Sequence, residues 1–156
     1  ANEAWTMPLL VAMQPVLAEL GIALLEQPLP AGQDGALAGF TAQVPICADE
    51  SCHVASDIAR LRGLYQFVNI KLDKTGGLTE ALALYDAARA AGLGVMVGCM
   101  LATSLGIAPA LRIAARADFV DVDGPWWLLE DRSGGLRVLD DGVVAPPQPG
   151  FWGGIA

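Results

Sequence analysis

Three short apolar runs, Ile22–Glu26, Val44–Asp49 and Phe67–Lys71, each stop on a charged residue. Those residues stand 23 and 22 positions apart. Apolar runs of this length, separated by helix-like segments, read as parallel strands buried on both faces in βα units. The carboxyl ends of such strands all open on one face, where barrel chemistry sits. Glu26, Asp49 and Lys71 are therefore expected to converge on one mouth. Two acids there suit a hard divalent cation, and a lysine beside a cation suits a base of lowered pKa.

The bulk properties narrow the class. A chain of 156 residues is expected to form one domain with a sizeable core. Net charge −8 and the absence of a basic stripe exclude nucleic acid as a partner. Charged residues are only 17% and mean hydropathy is +0.46, so much of the chain is meant to be buried. Cys47, Cys52 and Cys99 are an odd set without metal-ligand spacing, read as reduced thiols of a cytoplasmic protein. No basic segment leads an apolar one, as a secretory signal requires. The stretch Ala90–Leu111 is uncharged and long enough to span a bilayer. Its Gly92, Gly94, Gly98, Gly106 and Pro109 argue instead for a strand, a loop and a helix, so no membrane partner is expected.

The βα rhythm then runs along the chain. Thr6 is placed as the N-cap of a helix to about Leu20, bent by Pro15 and ended by Gly21. Strands are expected at Ile22–Glu26, Pro45–Asp49, Gln66–Leu72, Val95–Gly98 and Asp118–Asp123. Helices are expected near Ala36–Phe40, His53–Leu61 and Ser104–Ala115. The clearest one follows Gly77, with Leu78, Leu82, Tyr85 and Ala88 as its apolar face and Gly92 at its end. After Gly124 the rhythm stops; the tail holds one expected hairpin around DRSGGLRV and a Pro-rich end. Residues 1–124 thus carry about five βα units and residues 125–156 a tail. A complete (β/α)₈ barrel needs eight strands and about 250 residues. The reading is a piece of a barrel or a small doubly wound sheet.

Other chemistry-bearing residues fall at the same strand ends. Asp121 and Asp123 alternate onto one side of FVDVDGP, where two like charges repel unless a cation or an ammonium lies between them. Cys99 and Met100 follow a strand and should line the mouth; Cys99 has no activating neighbour in sequence and is not read as a nucleophile. Trp126 and Trp127 either wall a pocket or pack the barrel end. His53 reads as a surface residue. Gly76-Gly77 matches neither phosphate-binding glycine motif.

The segments ALLEQPLP, PICADESCH, VNIKLDKTGGLTEAL, GCMLATS and ADFVDVDGP, in this order, resemble the barrel domain of the enolase superfamily. Within it they resemble the muconate-lactonizing subgroup, and most closely the dipeptide epimerases. The resemblance covers nearly the whole chain and implies an α/β fold, the C-terminal part of an enolase-type barrel. It implies one Mg²⁺ per active site, with Glu26 and Asp49 matching the second and third of three acid ligands. The first would precede Ala1-Asn2, and an N-terminal capping domain and early strands carrying a second lysine are expected elsewhere. Lys71 matches one of two catalytic lysines, Asp121 and Asp123 the acids that hold a dipeptide's ammonium, and Cys99, Met100 and Leu101 the segment lining the substrate pocket.

The implied activity is epimerisation of a dipeptide, L-Ala-D/L-Glu foremost, by 1,1-proton transfer through an ene-diolate, as isomerases of this superfamily do with a lysine and Mg²⁺. The alternatives are another enzyme of the subgroup, an o-succinylbenzoate synthase or an N-acylamino acid racemase, or a non-catalytic half-barrel binding module. The oligomeric state stays open, a homo-oligomer included.

Overall fold

The computed structural model describes residues 1–151 of the chain. Five parallel strands form one sheet in the order β1-β2-β3-β4-β5, each beside its neighbour in sequence. They are β1 (Leu25–Glu26), β2 (Ile46–Ala48), β3 (Phe67–Ile70), β4 (Gly94–Val97) and β5 (Phe119–Val120). Sequential parallel pairing with helical crossovers is the barrel pattern, here an open half-barrel whose edges are β1 and β5.

Helix α1 (Met7–Glu19) starts at Thr6 and carries Pro15 without interruption. Its buried face is Leu10 and Gln14. The Gln14 amide is no misplaced polar group: Oε1 accepts from Gln43 N and Val44 N at 2.7 Å each, and Nε2 donates to Val44 O at 3.3 Å. Strand β1 begins at Leu25, three residues later than expected, because the chain is still leaving α1 at Ile22, whose N–H donates to Leu17 O.

The expected helices before β3 are shorter than the sequence suggested. Asp34–Leu37 and Ala55–Asp57 are 3₁₀ turns, and only α2 (Ile58–Leu61) is α-helical. Strand β3 stops at Ile70; Lys71 is already the N-cap of α3 (Leu72–Thr75), a turn of helix not foreseen. Gly76 and Gly77 then adopt φ of 74° and 135°, conformations open to glycine, and start α4 (Leu78–Ala90). The buried face of α4 is Ala81, Leu84 and Ala88, with Leu78, Leu82 and Tyr85 flanking it. Ala88 lies on the face as expected, whereas Ala81 and Leu84 replace Leu78, Leu82 and Tyr85 at its centre, the small alanines letting the helix sit close on β3 and β4.

After β4, Ser104–Ala115 is not one helix but α5 (Ser104–Ile107), a 3₁₀ turn and α6 (Leu111–Ala114). Pro109 has no N–H to give the preceding turn, which accounts for the break. In the tail, β6 (Arg137–Val138) pairs antiparallel with β7 (Val144–Ala145), so the hairpin turns at residues 139–143 rather than within SGG. Gly135 instead packs against Ser104, whose Oγ would lie 2.6 Å from an added Cβ. Among the described residues no helix is long and apolar enough to cross a membrane.

Strand alternation separates two environments. Ile46, Ala48, Val68, Ile70, Val95 and Val97 are buried between sheet and helices. Phe67, Asn69 and Lys71 take the opposite, inner face. Phe67 crosses the floor of that face over Gly94, with its ring 5.4 Å from that of Phe119 in an edge-on contact.

Candidate active site

Glu26, Asp49 and Lys71 follow one another at the carboxyl ends of β1, β2 and β3, staggered along the ladder: Glu26 is level with Cys47, and Cys47 with Phe67, so that Asp49 and Lys71 lie two and four residues beyond those partners. Asp49 is 4% exposed, and its carboxylate is divided between two lysines. Lys71 Nζ lies 2.5 Å from Oδ2 and Lys74 Nζ 2.5 Å from Oδ1. Lys74 also donates to Asp49 O at 2.6 Å and to Asn69 O at 3.0 Å. The α3 turn explains this: Lys74 is three residues beyond Lys71, so one helical turn swings it back over the strand ends.

Glu26 shares the same field. Burial pushes its carboxyl above the usual range, with the Asp49 charge adding to the effect, against the Asn69 hydrogen bond and the Lys71 charge. Asn69 Nδ2 donates to Glu26 Oε1 at 2.5 Å. Asp49 is the opposite case: burial pushes it up, but Lys74 and Lys71 together outweigh that and hold it low. For Lys71, burial favours the neutral amine, as the sequence reading expected, yet Asp49 and Glu26 outweigh burial and raise its pKa. The ammonium form is thus favoured while Asp49 is its partner.

Asp121 and Asp123 are exposed on either side of buried Val122. Burial and then Asp123 raise the Asp121 carboxyl, while Lys71 lowers it, so the pair stands within the field of the lysine. Asp123 is held from two sides: Trp127 Nε1 donates to Oδ2 at 2.7 Å, and Cys99 Sγ lies 4.0 Å from Oδ1. Burial raises the Cys99 thiol further, in keeping with a cysteine that is not a nucleophile. Met100 and Leu101 are exposed at the rim. Trp126 joins Asp121 and Asp123 on the wall of a 700 Å³ cavity beside β5. His53 is exposed and its ring contacts Glu50 O.

Several contributors were not singled out from the sequence. Lys74 and Asn69 are two. Gln27 is another: fully buried, it accepts from Asp49 N at 2.8 Å and Ser51 N at 3.2 Å, and donates to Leu29 O, Ser51 Oγ and Tyr65 OH. Its φ of 30° is a conformation that non-glycine residues adopt rarely. The one signal available for Lys74 was its three-residue spacing from Lys71.

Among the described residues no group of three or more His, Cys, Asp or Glu forms a closed metal cage. Two carboxylates at the ends of adjacent strands, one of them raised by burial and then by the charge of the other, still form a donor set suited to a hard cation that takes its remaining oxygens from substrate and water. Such a cation relieves the repulsion between Glu26 and Asp49, and the residues present fit it.

A half-barrel with acids and lysines at its strand ends defines a class, and comparison places the chain within it. Residues 1–152 match the enolase C-terminal domain-like family, and the chain belongs to that family. It is 56% identical over 131 residues to an L-Ala-D/L-Glu epimerase of Escherichia coli (strain K12), covering 84% of this chain and 41% of that protein. It is 48% identical over 154 residues to an N-acetyl-D-glutamate racemase of Pseudoalteromonas sp, covering 99% of this chain and 49% of that protein. The chain thus spans about half the length of the curated relatives it matches. An enolase family member from Agrobacterium tumefaciens with homology to dipeptide epimerases, solved with sodium and L-Ala-L-Glu, superposes with a TM-score of 0.93 at 51% identity, over 98% of this chain and 47% of that one. A dipeptide epimerase from Methylococcus capsulatus, complexed with Mg and L-Arg-D-Lys, gives a TM-score of 0.87 at 33% identity, over 96% and 45% of the two chains.

Proposed function

We propose that this chain is the part of an isomerase that carries two metal-binding acids, one catalytic lysine and an ammonium clamp, and that the whole protein epimerises dipeptides, L-Ala-D/L-Glu foremost. The observation that carries the reading is the Lys71–Asp49 contact of 2.5 Å beside Glu26, at the carboxyl ends of three consecutive parallel strands. Dipeptide ligands in the two superposable structures support it.

Glu26 and Asp49 would hold Mg²⁺, which when bound neutralises charge on the substrate carboxylate. Lys71 would remove or return the proton at one face of the substrate α-carbon, an exchange that requires the amine to leave Asp49 and become neutral. Asp121 and Asp123 would receive the substrate ammonium, and Trp127 holds Asp123 toward it. Cys99, Met100 and Leu101 would border the side-chain pocket. Lys74, fixed by three hydrogen bonds, keeps Asp49 in place when Lys71 moves.

A second reading is favoured by one finding, the near-complete coverage by an N-acetyl-D-glutamate racemase. That substrate has no free ammonium for the aspartate pair. The test is α-proton exchange in D₂O with the intact protein on L-Ala-L-Glu, on its N-acetyl derivative and on N-acetylglutamate. Exchange with the free dipeptide, lost in Lys71→Ala, supports the epimerase. Turnover confined to N-acylated substrates moves the second reading ahead.

A further inference from the structure

We propose that Asn69 is the positioning residue of Glu26, and that Gly98 carries no side chain because Asn69 needs the space. The inference rests on the reading of Glu26 as a cation-binding carboxylate.

Asn69 is 1% exposed on the inner face of β3. Its Nδ2 donates to Glu26 Oε1 at 2.5 Å, and this bond bridges β1 and β3 across the end of β2. Its Oδ1 is buried and has no hydrogen-bond partner among the described residues. An amide oxygen buried without a donor destabilises a fold, and an apolar residue of similar shape removes that cost. In the fold, that cost is offset only by the bond that the same amide makes to Glu26. What asparagine supplies is the single N–H pair aimed at Glu26. The opposite amide orientation would set Oδ1 against the carboxylate, acceptor against acceptor, so Glu26 fixes which way the amide faces.

Gly98 makes the same point from the next strand. A Cβ there would lie 2.6 Å from Asn69 Oδ1 and 2.7 Å from Nδ2. Gly98 is not among the glycines of positive φ, so its backbone does not require glycine. The nearest obstacle to a side chain is the Asn69 amide. A glycine thus stands at a strand end where the amide of a neighbouring strand turns toward a carboxylate two strands away.

The test titrates Mg²⁺ calorimetrically into the intact protein without substrate and records thermal unfolding in the absence of Mg²⁺. Glu26→Gln establishes the reference loss. Asn69→Leu is expected to weaken Mg²⁺ on the order of 10- to 100-fold, the usual effect of removing a group that orients a metal ligand. Its melting temperature without Mg²⁺ should change little, because relief of the orphaned Oδ1 offsets the lost bond to Glu26. Gly98→Ala should weaken Mg²⁺ alone but add nothing in the Asn69→Ala background, because the group it displaces is already gone. If Asn69→Leu fails to fold, Asn69→Ala takes its place. Wild-type Mg²⁺ affinity in the Asn69 variants, with Glu26→Gln impaired, overturns the positioning role and leaves the cation reading standing. Wild-type affinity in Glu26→Gln removes the cation reading itself.

Discussion

Lys71 and Asp49, candidate base and candidate metal ligand, form a 2.5 Å ion pair on neighbouring strands, and Lys74 completes the other half of the same carboxylate. Neither lysine side chain is more than 15% exposed, so this is a buried triad rather than a surface bridge. Removing one lysine leaves Asp49 a partner; removing both leaves a buried charge alone.

Lys71→Ala should therefore cost little stability, whereas Lys71→Ala with Lys74→Ala should cost about 3–5 kcal/mol, the penalty for an uncompensated buried charge. Urea unfolding of the intact protein measures both. Equal losses in the single and double variants would show that Lys74 alone does not hold Asp49.

Asp34 governs the acid limit of the first two loops. Burial pushes its carboxyl up, but hydrogen bonds from Ser51 and Tyr65, with Arg60 beside it, outweigh burial and hold it below the usual carboxylate range. A lowered folded pKa contributes stability that is present above the unfolded value of about 3.9 and is lost as pH falls through the folded value. Asp34→Asn should lower stability at neutral pH and flatten the decline below about pH 4. A variant with an unchanged acid slope would assign that decline to other groups.

Asp123→Asn should raise KM for free dipeptides while keeping the shape of the clamp, so that the loss reports charge alone. Trp127→Phe, which deletes the 2.7 Å bond to Asp123 without touching its charge, should raise KM by a smaller factor. Steady-state kinetics on L-Ala-L-Glu decide between them. If both variants behave as wild type, the aspartate pair is no ammonium site.

Gly94→Ala tests the floor beneath the site. The new Cβ would fall 2.1 Å from the Phe67 ring, which is itself packed on Phe119. The ring has to move, and overpacking of this kind costs about 1–3 kcal/mol. A melting temperature equal to wild type would mean that Phe67 has another rotamer available.

The strands were legible because burial on both faces leaves an unbroken apolar run, and because each run ended in a residue too polar to continue it. Glu26, Asp49 and Lys71 could be aligned from spacing alone, since parallel strands of equal rhythm share their ends. What spacing could not show was pairing across the sheet. Asn69, Gln27 and Lys74 look in sequence like any polar residue near a strand end, and their meaning lies in partners 43, 22 and 25 residues away. On α4 the expected face was right at Ala88 and missed Ala81 and Leu84, because a run so rich in alanine and leucine offers more than one apolar stripe at helical spacing. The tail hairpin was displaced because SGG is a strong local turn signal, and nothing local reveals that Ser104 and Asp131 close a hydrogen-bonded clasp there.

Gln27 reaches from the residue after Glu26 to the backbone of Asp49 and Ser51, so one amide rivets the first strand end to the second. The separation of two mutually repelling acids is then set when the chain folds. If the pair takes a cation as proposed, that ion does no work to gather them, and its affinity is not taxed by their repulsion a second time. The spacing of Glu26 and Asp49 is a gauge cut into the protein before any ligand is present.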